Sequence, residues 1–188
     1  LAVLKTELDA DKATLVTATT TKDNAINTPT TGLKAVLATA LALARSNLAT
    51  ARSTAQGIYT TALETYTTDR ATALSAITTA KVNKKAALAA INIANAAIAA
   101  AIAANNAGAE ATARAQLADA IAAQNAAIQA ETDGHAAIDA ALVTRNAALV
   151  TRNTAYDTAK STADAAIAAA KETFATDLAT VMGTFNTA

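Results

Sequence analysis

Threonine is the residue type whose spacing in this sequence could serve a chemical purpose. One series repeats every eleventh residue near the start of the chain and resumes near its end. We call its ten members the Thr column: Thr6, Thr17, Thr39, Thr50, Thr61, Thr72, Thr151, Thr162, Thr173 and Thr184. Thr28 shares the register but is left out, because the Pro29 that follows disfavours a helical conformation there. A regular row of hydroxyl and methyl groups can order water or pack closely against a second helix.

The neighbours of the Thr column are small and mostly uncharged. Eleven residues make almost three helical turns, so the column hardly drifts around a straight helix. Positions four and seven residues after each threonine share its face and hold mainly Thr, Ala or Gly, with Leu43 and Asp177 as exceptions. From Leu4 to Ile91 there are 16 charged residues, and none falls in these three sets of positions. The sequence therefore predicts a face almost free of ionic groups.

Large apolar side chains repeat with the same period on the opposite face. They are Leu4, Leu15, Ile26, Leu37, Leu48 and Tyr59, and then Tyr156, Ile167 and Leu178. In the middle of the chain the apolar period becomes a heptad, which is typical of coiled-coil seams. The predicted seam positions are Leu74, Ile77, Leu88, Ile91, Ile98 and Ile102, and Leu117, Ile121, Ile128, Ile138, Leu142, Leu149 and Tyr156. Polar residues interrupt them at Lys81, Lys84, Asn95, Gln124, Glu131, His135, Arg145 and Arg152.

The elements that carry these patterns are long helices. Ala occupies 59 and Thr 32 of the 188 positions, and only five Gly and one Pro interrupt the chain. Breaks at 27–32 and 105–108 predict helices over 1–28, 33–104 and 109–187, with threonines capping the second helix and a continuous helix through Gly134. We predict an all-α fold: one elongated domain over 1–188, built as a long antiparallel helical hairpin or bundle with heptad and 11-residue periodicity.

The Thr column on an alanine-rich helix resembles the alanine-rich type I antifreeze proteins, in particular their large, hyperactive form. In that family a flat Thr/Ala face orders water and binds ice. Eleven residues rise about 16.5 Å, a spacing that the family is understood to match to the ice lattice. The resemblance covers about half the chain and implies that all ten residues of the Thr column bind ice. Between residues 83 and 140 the column lapses, with Asn83, Ala94 and Asn105 at its positions.

Other functional classes have little support in the sequence. The 15 basic and 15 acidic residues balance, which argues against nucleic acid as a partner. We find no catalytic motif, no cofactor-binding motif and no metal-ligand spacing, and the lone His135 fits a seam or its rim. The doubled Leu-Val-Thr-Arg-Asn at 142–146 and 149–153 is read as a heptad duplication, although its arginines could hold an anion. We therefore predict a non-enzymatic protein without cofactor or metal.

Partners and compartment are predicted only in outline. We expect a homodimer or higher assembly, with ice or ordered water as a further partner. Residues 86–109 carry no charge and are long enough to span a bilayer, but alanine inserts poorly and four Asn lie among them, so a membrane is not expected. The cysteine-free sequence starts without a signal peptide and does not fix the compartment; we favour a secreted protein.

Two functions compete with ice binding. One is a self-assembling structural coiled-coil or filament protein, in which small-residue faces would pack side by side. The other is a lipid- or interface-coating amphipathic helical protein, because 11-residue amphipathic repeats occur in such proteins. The exposure of the Thr column in the folded chain bears on all three.

Overall fold

Three α-helices make up the fold. A computed structural model describes residues 2–28 and 31–187, with side chains from residue 5 onward. Helix α1 spans Ala2–Asn27, α2 spans Leu33–Ala103 and α3 spans Ala107–Thr187. The described residues contain no strand, and 97% of them are helical. The predicted all-α class is confirmed, and the predicted helix ends that fall on described residues are met to within two residues.

The turn between α1 and α2 is closed by a glycine. The Gly32 carbonyl accepts from the backbone N–H groups of Ala35 and Val36, so Gly32 caps α2. The prediction that a threonine caps α2 is wrong, because Gly32 takes that position. Thr30, one of the threonines considered, lies outside the described residues. A Cβ atom at Gly32 would lie 2.6 Å from the Thr28 nitrogen, so only glycine fits this close approach of the chain to itself.

The turn between α2 and α3 uses two asparagines. Asn105 has a φ of 51°, the left-handed conformation that ends many helices. The Asn106 N–H donates to the Ala101 carbonyl, and the Asn106 side-chain oxygen accepts from the Ala109 N–H at 3.0 Å. Asn106 is thus the N-cap of α3. The break was predicted correctly, but Gly108 lies inside α3 and plays no part in the turn.

Two compact units divide the chain. The first contains residues 1–56 and 151–188, hence α1, the start of α2 and the end of α3. The second contains residues 57–150, in which α2 and α3 form an antiparallel pair across the Asn105–Asn106 turn. The prediction of a single domain stays a prediction.

A row of alanines forms the buried seam of the second unit. On α2 a buried alanine recurs every seventh residue at Ala73, Ala80, Ala87, Ala94 and Ala101. On α3 the corresponding positions are Ala113, Ala120, Ala127, Gly134 and Ala141. Ala80 and Ala94 are only 2% exposed. Small side chains at one position of every heptad let two helices approach closely, and this contact holds the hairpin together.

The larger seam residues divide into two groups. Ile77 is buried, and Ile91, Ile98, Leu117 and Ile138 are half-buried, as predicted. Five others directly follow a buried alanine and are between 40% and 54% exposed: Leu74, Leu88, Ile102, Ile121 and Ile128. Their assignment to the seam was wrong, because the alanines bring the helices too close for these side chains to fit between them. In an antiparallel pair these positions line one edge of the seam, which we call the apolar edge.

The polar interruptions of the seam find local partners. The Arg145 guanidinium lies 5.3 Å from the centre of the Tyr66 ring, and Arg145 and Arg152 each donate to the asparagine that follows. Both arginines are half-buried, whereas His135 is exposed at the rim. Half-burial on one helix face agrees with the heptad-duplication reading of the repeated segment.

One ion pair joins α2 to α3 across the seam. Lys84 Nζ lies 2.8 Å from a Glu131 carboxylate oxygen, and Lys81 Nζ lies 3.8 Å from the other oxygen. The hydrogen bond from Lys84 is the largest cause that lowers the pKa of Glu131, opposed by burial and assisted by the charges of Lys84, Lys81 and His135. The ionised carboxylate therefore stabilises the folded chain at neutral pH.

This ion pair predicts a specific acid sensitivity. The folded pKa of Glu131 lies below its ordinary value of 4.5, so its contribution is present above that value and is lost as the pH falls through the folded pKa. We expect Glu131→Gln to lower the Tm at pH 7 and to lower it less at pH 3, as measured by circular dichroism. Asp164→Asn breaks only the exposed pair with Lys160 and should change the Tm little at either pH. An equal effect of Glu131→Gln at both pH values would contradict this assignment.

Candidate functional site

Every residue of the Thr column is exposed. This holds for the two members on α1, for the four on α2 and for the four on α3. Of the apolar column that was predicted on the opposite face, Ile26, Leu37, Leu48 and Tyr59 are half-buried, as are Ile167 and Leu178. Leu15 and Tyr156 are exceptions, 59% and 37% exposed, and the side chain of Leu4 lies outside the described residues. Within this chain the column is thus a solvent-facing surface, not a contact between helices.

The small neighbours of the column are exposed as well. After Thr50 come Thr54 and Gly57, and after Thr61 come Thr65 and Thr68, all exposed. The same is true of Ala76 and Thr79 on α2 and of Ala155, Thr158, Ala166 and Ala169 on α3. Leu43 and Asp177, the two exceptions in composition, are exposed too. The column therefore lies within a wider exposed surface of hydroxyl and methyl groups.

Hydrogen bonds to the preceding turn hold many of the hydroxyls. Among the column members that donate to the carbonyl four residues earlier, with O···O distances of 2.9–3.1 Å, are Thr17, Thr39, Thr72 and Thr184. Each bond selects one side-chain rotamer and uses the only donor hydrogen of the hydroxyl. Thr67 and Thr78, which lie off the column, make the same bond, so it is a property of threonine in these helices.

Thr28 was left out of the column, and its placement agrees with that choice. Its side chain is half-buried, and its hydroxyl donates to the carbonyl of Asn24. It also stands just beyond the end of α1, where its backbone nitrogen and carbonyl take part in the turn. Thr28 is thus part of the turn and not of the exposed surface.

Two members of the Thr column line the same groove, which the sequence did not predict. Thr17 on α1 and Thr184 on α3 both line a depression of about 610 Å³ in the first unit. Phe185 and Val181 are half-buried in it. The pairs Thr17/Thr21 and Thr180/Thr184, each four residues apart, were the available signal, but only tertiary packing brings the two helices together. These two threonines of the column therefore lie on a concave surface.

Helix α2 is apolar as well as weakly charged. It contains an 18-residue window with a mean hydropathy of 1.9, of which 17% is buried, so length and composition alone would allow it to cross a membrane. The hydropathy comes mainly from exposed alanine with scattered isoleucine and leucine. The surface of this window thus has few groups that bind water strongly, whereas other parts of α2 carry charged residues such as Arg52, Glu64 and Arg70.

The wider comparisons give no relative to argue from. Known protein families, curated proteins and solved structures contain no match to this chain.

Proposed function

We propose that this protein binds ice through the surface formed by the Thr column and its small neighbours. The observation that supports the proposal is the exposure of all ten column residues, on helices that bury other faces. An ice-binding surface has to be accessible to the solvent. A column packed between the helices of one chain would have ended the proposal.

The charge distribution supports the same function. No charged residue lies on the column or at its neighbouring positions on α1, or on α2 as far as Ile91. An ionic group holds its hydration shell strongly, and displacing or reorganising that shell costs free energy. A surface of methyl groups with regularly spaced hydroxyl oxygens instead allows water to settle into an ordered layer that can join the ice lattice.

Rigidity is the third supporting property. Threonine is β-branched and has few side-chain rotamers on a helix, and the bonds to the preceding turn reduce them further. Alanine and glycine have no side-chain rotamers to lose. Little conformational entropy is therefore lost when such a surface becomes fixed against a crystal.

A second candidate function is self-assembly, and one observation favours it. The apolar edge of the second unit leaves Leu88 about half exposed and Ile102 54% exposed. Apolar side chains repeated along one edge are a surface that a second copy could cover. Ice binding and self-assembly use different residues, so one chain could do both.

The native chain is expected to show thermal hysteresis in dilute solution. Growth of a single ice crystal is measured by osmometry, and retention of the chain in slowly growing ice provides a second readout. Electron microscopy of the same preparation at micromolar concentration tests the alternative. Hysteresis with dispersed particles supports ice binding, whereas filaments without hysteresis or ice retention replace it with structural assembly.

A further inference from the structure

The groove between α1 and α3 has chemically apolar walls despite its threonines. Five threonines line it, and all five hydroxyls donate to a carbonyl of their own helix at 2.9–3.1 Å: Thr14, Thr17, Thr21, Thr180 and Thr184. A hydroxyl has a single donor hydrogen, so none of these groups has a donor left for a ligand. Each hydroxyl oxygen can still accept a hydrogen bond, but most of the accessible lining is methyl and ring carbon, so the groove suits a hydrocarbon chain better than a sugar or another polyol.

The floor of the groove is formed by half-buried side chains. Phe185 and Val181 come from α3, and Ala18 and Ala25 come from α1. The volume of about 610 Å³ falls within the range of small-molecule sites in proteins. Apolar contact along such a floor favours binding, and more so with each methylene group that it removes from water.

A single cation belongs to the lining. The Lys22 side chain is 23% exposed, and its ammonium group lies 4.5 Å from the centre of the Phe185 ring. The nearest carboxylate, that of Asp23, is 3.6 Å away, beyond hydrogen-bonding distance, and its side chain is 57% exposed. Among the residues that the structure describes, none of those that line the groove is acidic. The lysine stem thus packs along the apolar walls and presents one positive charge at their edge.

We propose that this groove binds one single-chain anionic amphiphile, with the hydrocarbon tail against Phe185 and Val181 and the head group at Lys22. The positive charge of the lining favours a negative head group, and the mostly apolar lining favours a hydrocarbon tail. The groove shares Thr17 and Thr184 with the Thr column, whereas the test of ice binding uses Thr50, Thr61 and Thr72 on α2, so either proposal can fail without the other.

Dodecanoate, below its aggregation concentration, is the probe for this site. Isothermal titration with the full chain should show one molecule bound per chain, with at least tenfold weaker binding of dodecyltrimethylammonium, which has a tail of nearly the same length and the opposite charge. We expect Lys22→Met to weaken dodecanoate binding about tenfold, because it removes the charge but keeps an unbranched stem of four heavy atoms. The same variant should bind dodecyltrimethylammonium no more weakly than the native chain.

Two filling variants test the location. Thr17→Trp and Thr184→Trp place an indole into the groove from either wall and should each reduce dodecanoate affinity at least tenfold. Thr162→Trp, at an exposed column position that does not line the groove, should leave it unchanged. Binding of several molecules per chain with no preference for charge would overturn the proposal in favour of general surface coating. If dodecanoate binds only at protein concentrations at which a dimer of this chain dissociates, a second copy of the chain covers the groove, and the proposal is overturned.

Discussion

Replacing Thr50, Thr61 and Thr72 together by lysine should abolish thermal hysteresis while the helical content of the chain stays the same. All three residues lie on α2 and are exposed. Three ammonium groups would hold their own hydration shells on the surface where ordered water is required. Lysine is at least as good a helix former as threonine, so the loss of activity should occur without unfolding.

A matched control exists on the same helix. Thr60, Thr67 and Thr78 are also exposed threonines of α2, and at 100° per residue they lie about 100–140° around the helix from the nearest column residue. The triple lysine variant at these positions adds the same charge and removes the same number of hydroxyls. It should retain most of the hysteresis. Equal loss in both triple variants would show that net charge, and not the column, determines the activity.

Gly134→Leu should destabilise the second unit more than any other single substitution proposed for this chain. A Cβ atom at Gly134 would lie 2.5 Å from Ile77 Cγ1 and 3.4 Å from the Ala73 carbonyl oxygen. The position belongs to the buried seam, where an extra side chain must push the two helices apart. Overpacking of this kind typically costs about 3 kcal/mol or somewhat less. Urea unfolding followed by circular dichroism measures the change in the free energy of unfolding.

Gly57→Leu is the opposite case in the same helical setting. Gly57 is exposed, and nothing lies within 4 Å of the Cβ atom that would be added there. Leucine is a better helix former than glycine, so this variant should be stabilised by about 0.8 kcal/mol. Comparing Gly134→Leu with Gly57→Leu separates the effect of core packing from that of helix propensity, because propensity alone predicts that both variants are stabilised.

A double variant locates the conflict at Gly134. Adding Ile77→Ala to Gly134→Leu removes the atom nearest to the new side chain and roughly restores the side-chain volume of the seam. Either change alone should destabilise, and the double variant should be more stable than the sum of the two effects predicts. If the two losses in the free energy of unfolding simply add, the leucine at position 134 does not clash with Ile77.

Helix content and helix ends could be read from the sequence because both have local causes. Alanine favours helix wherever it stands, and the asparagines at 105 and 106 can adopt the left-handed conformation and cap the next helix without help from distant residues. The cap at Gly32 was missed because it depends on how closely the chain passes Thr28, which is a property of the folded turn.

The assignment of the seam failed for a different reason. Periodicity shows that Leu88 and Ile121 recur in phase with the seam, but not whether they lie at its centre or at its edge. That choice depends on the distance between the helices. An alanine at every seventh position allows a close approach, which buries the small residues and moves the larger ones outward.

By itself, the sequence determined that this chain is helical and where the helices begin and end. It also determined that in two stretches a threonine repeats every eleventh residue, among neighbours that are uncharged except for Asp177. Tertiary structure alone decided that the Thr column faces solvent, that alanines form the seam, and that Thr17 and Thr184 share a groove. The physical reason is that period and propensity act along one helix. Burial depends instead on which faces of two helices can come closest, and so on the side-chain volumes of both partners at once.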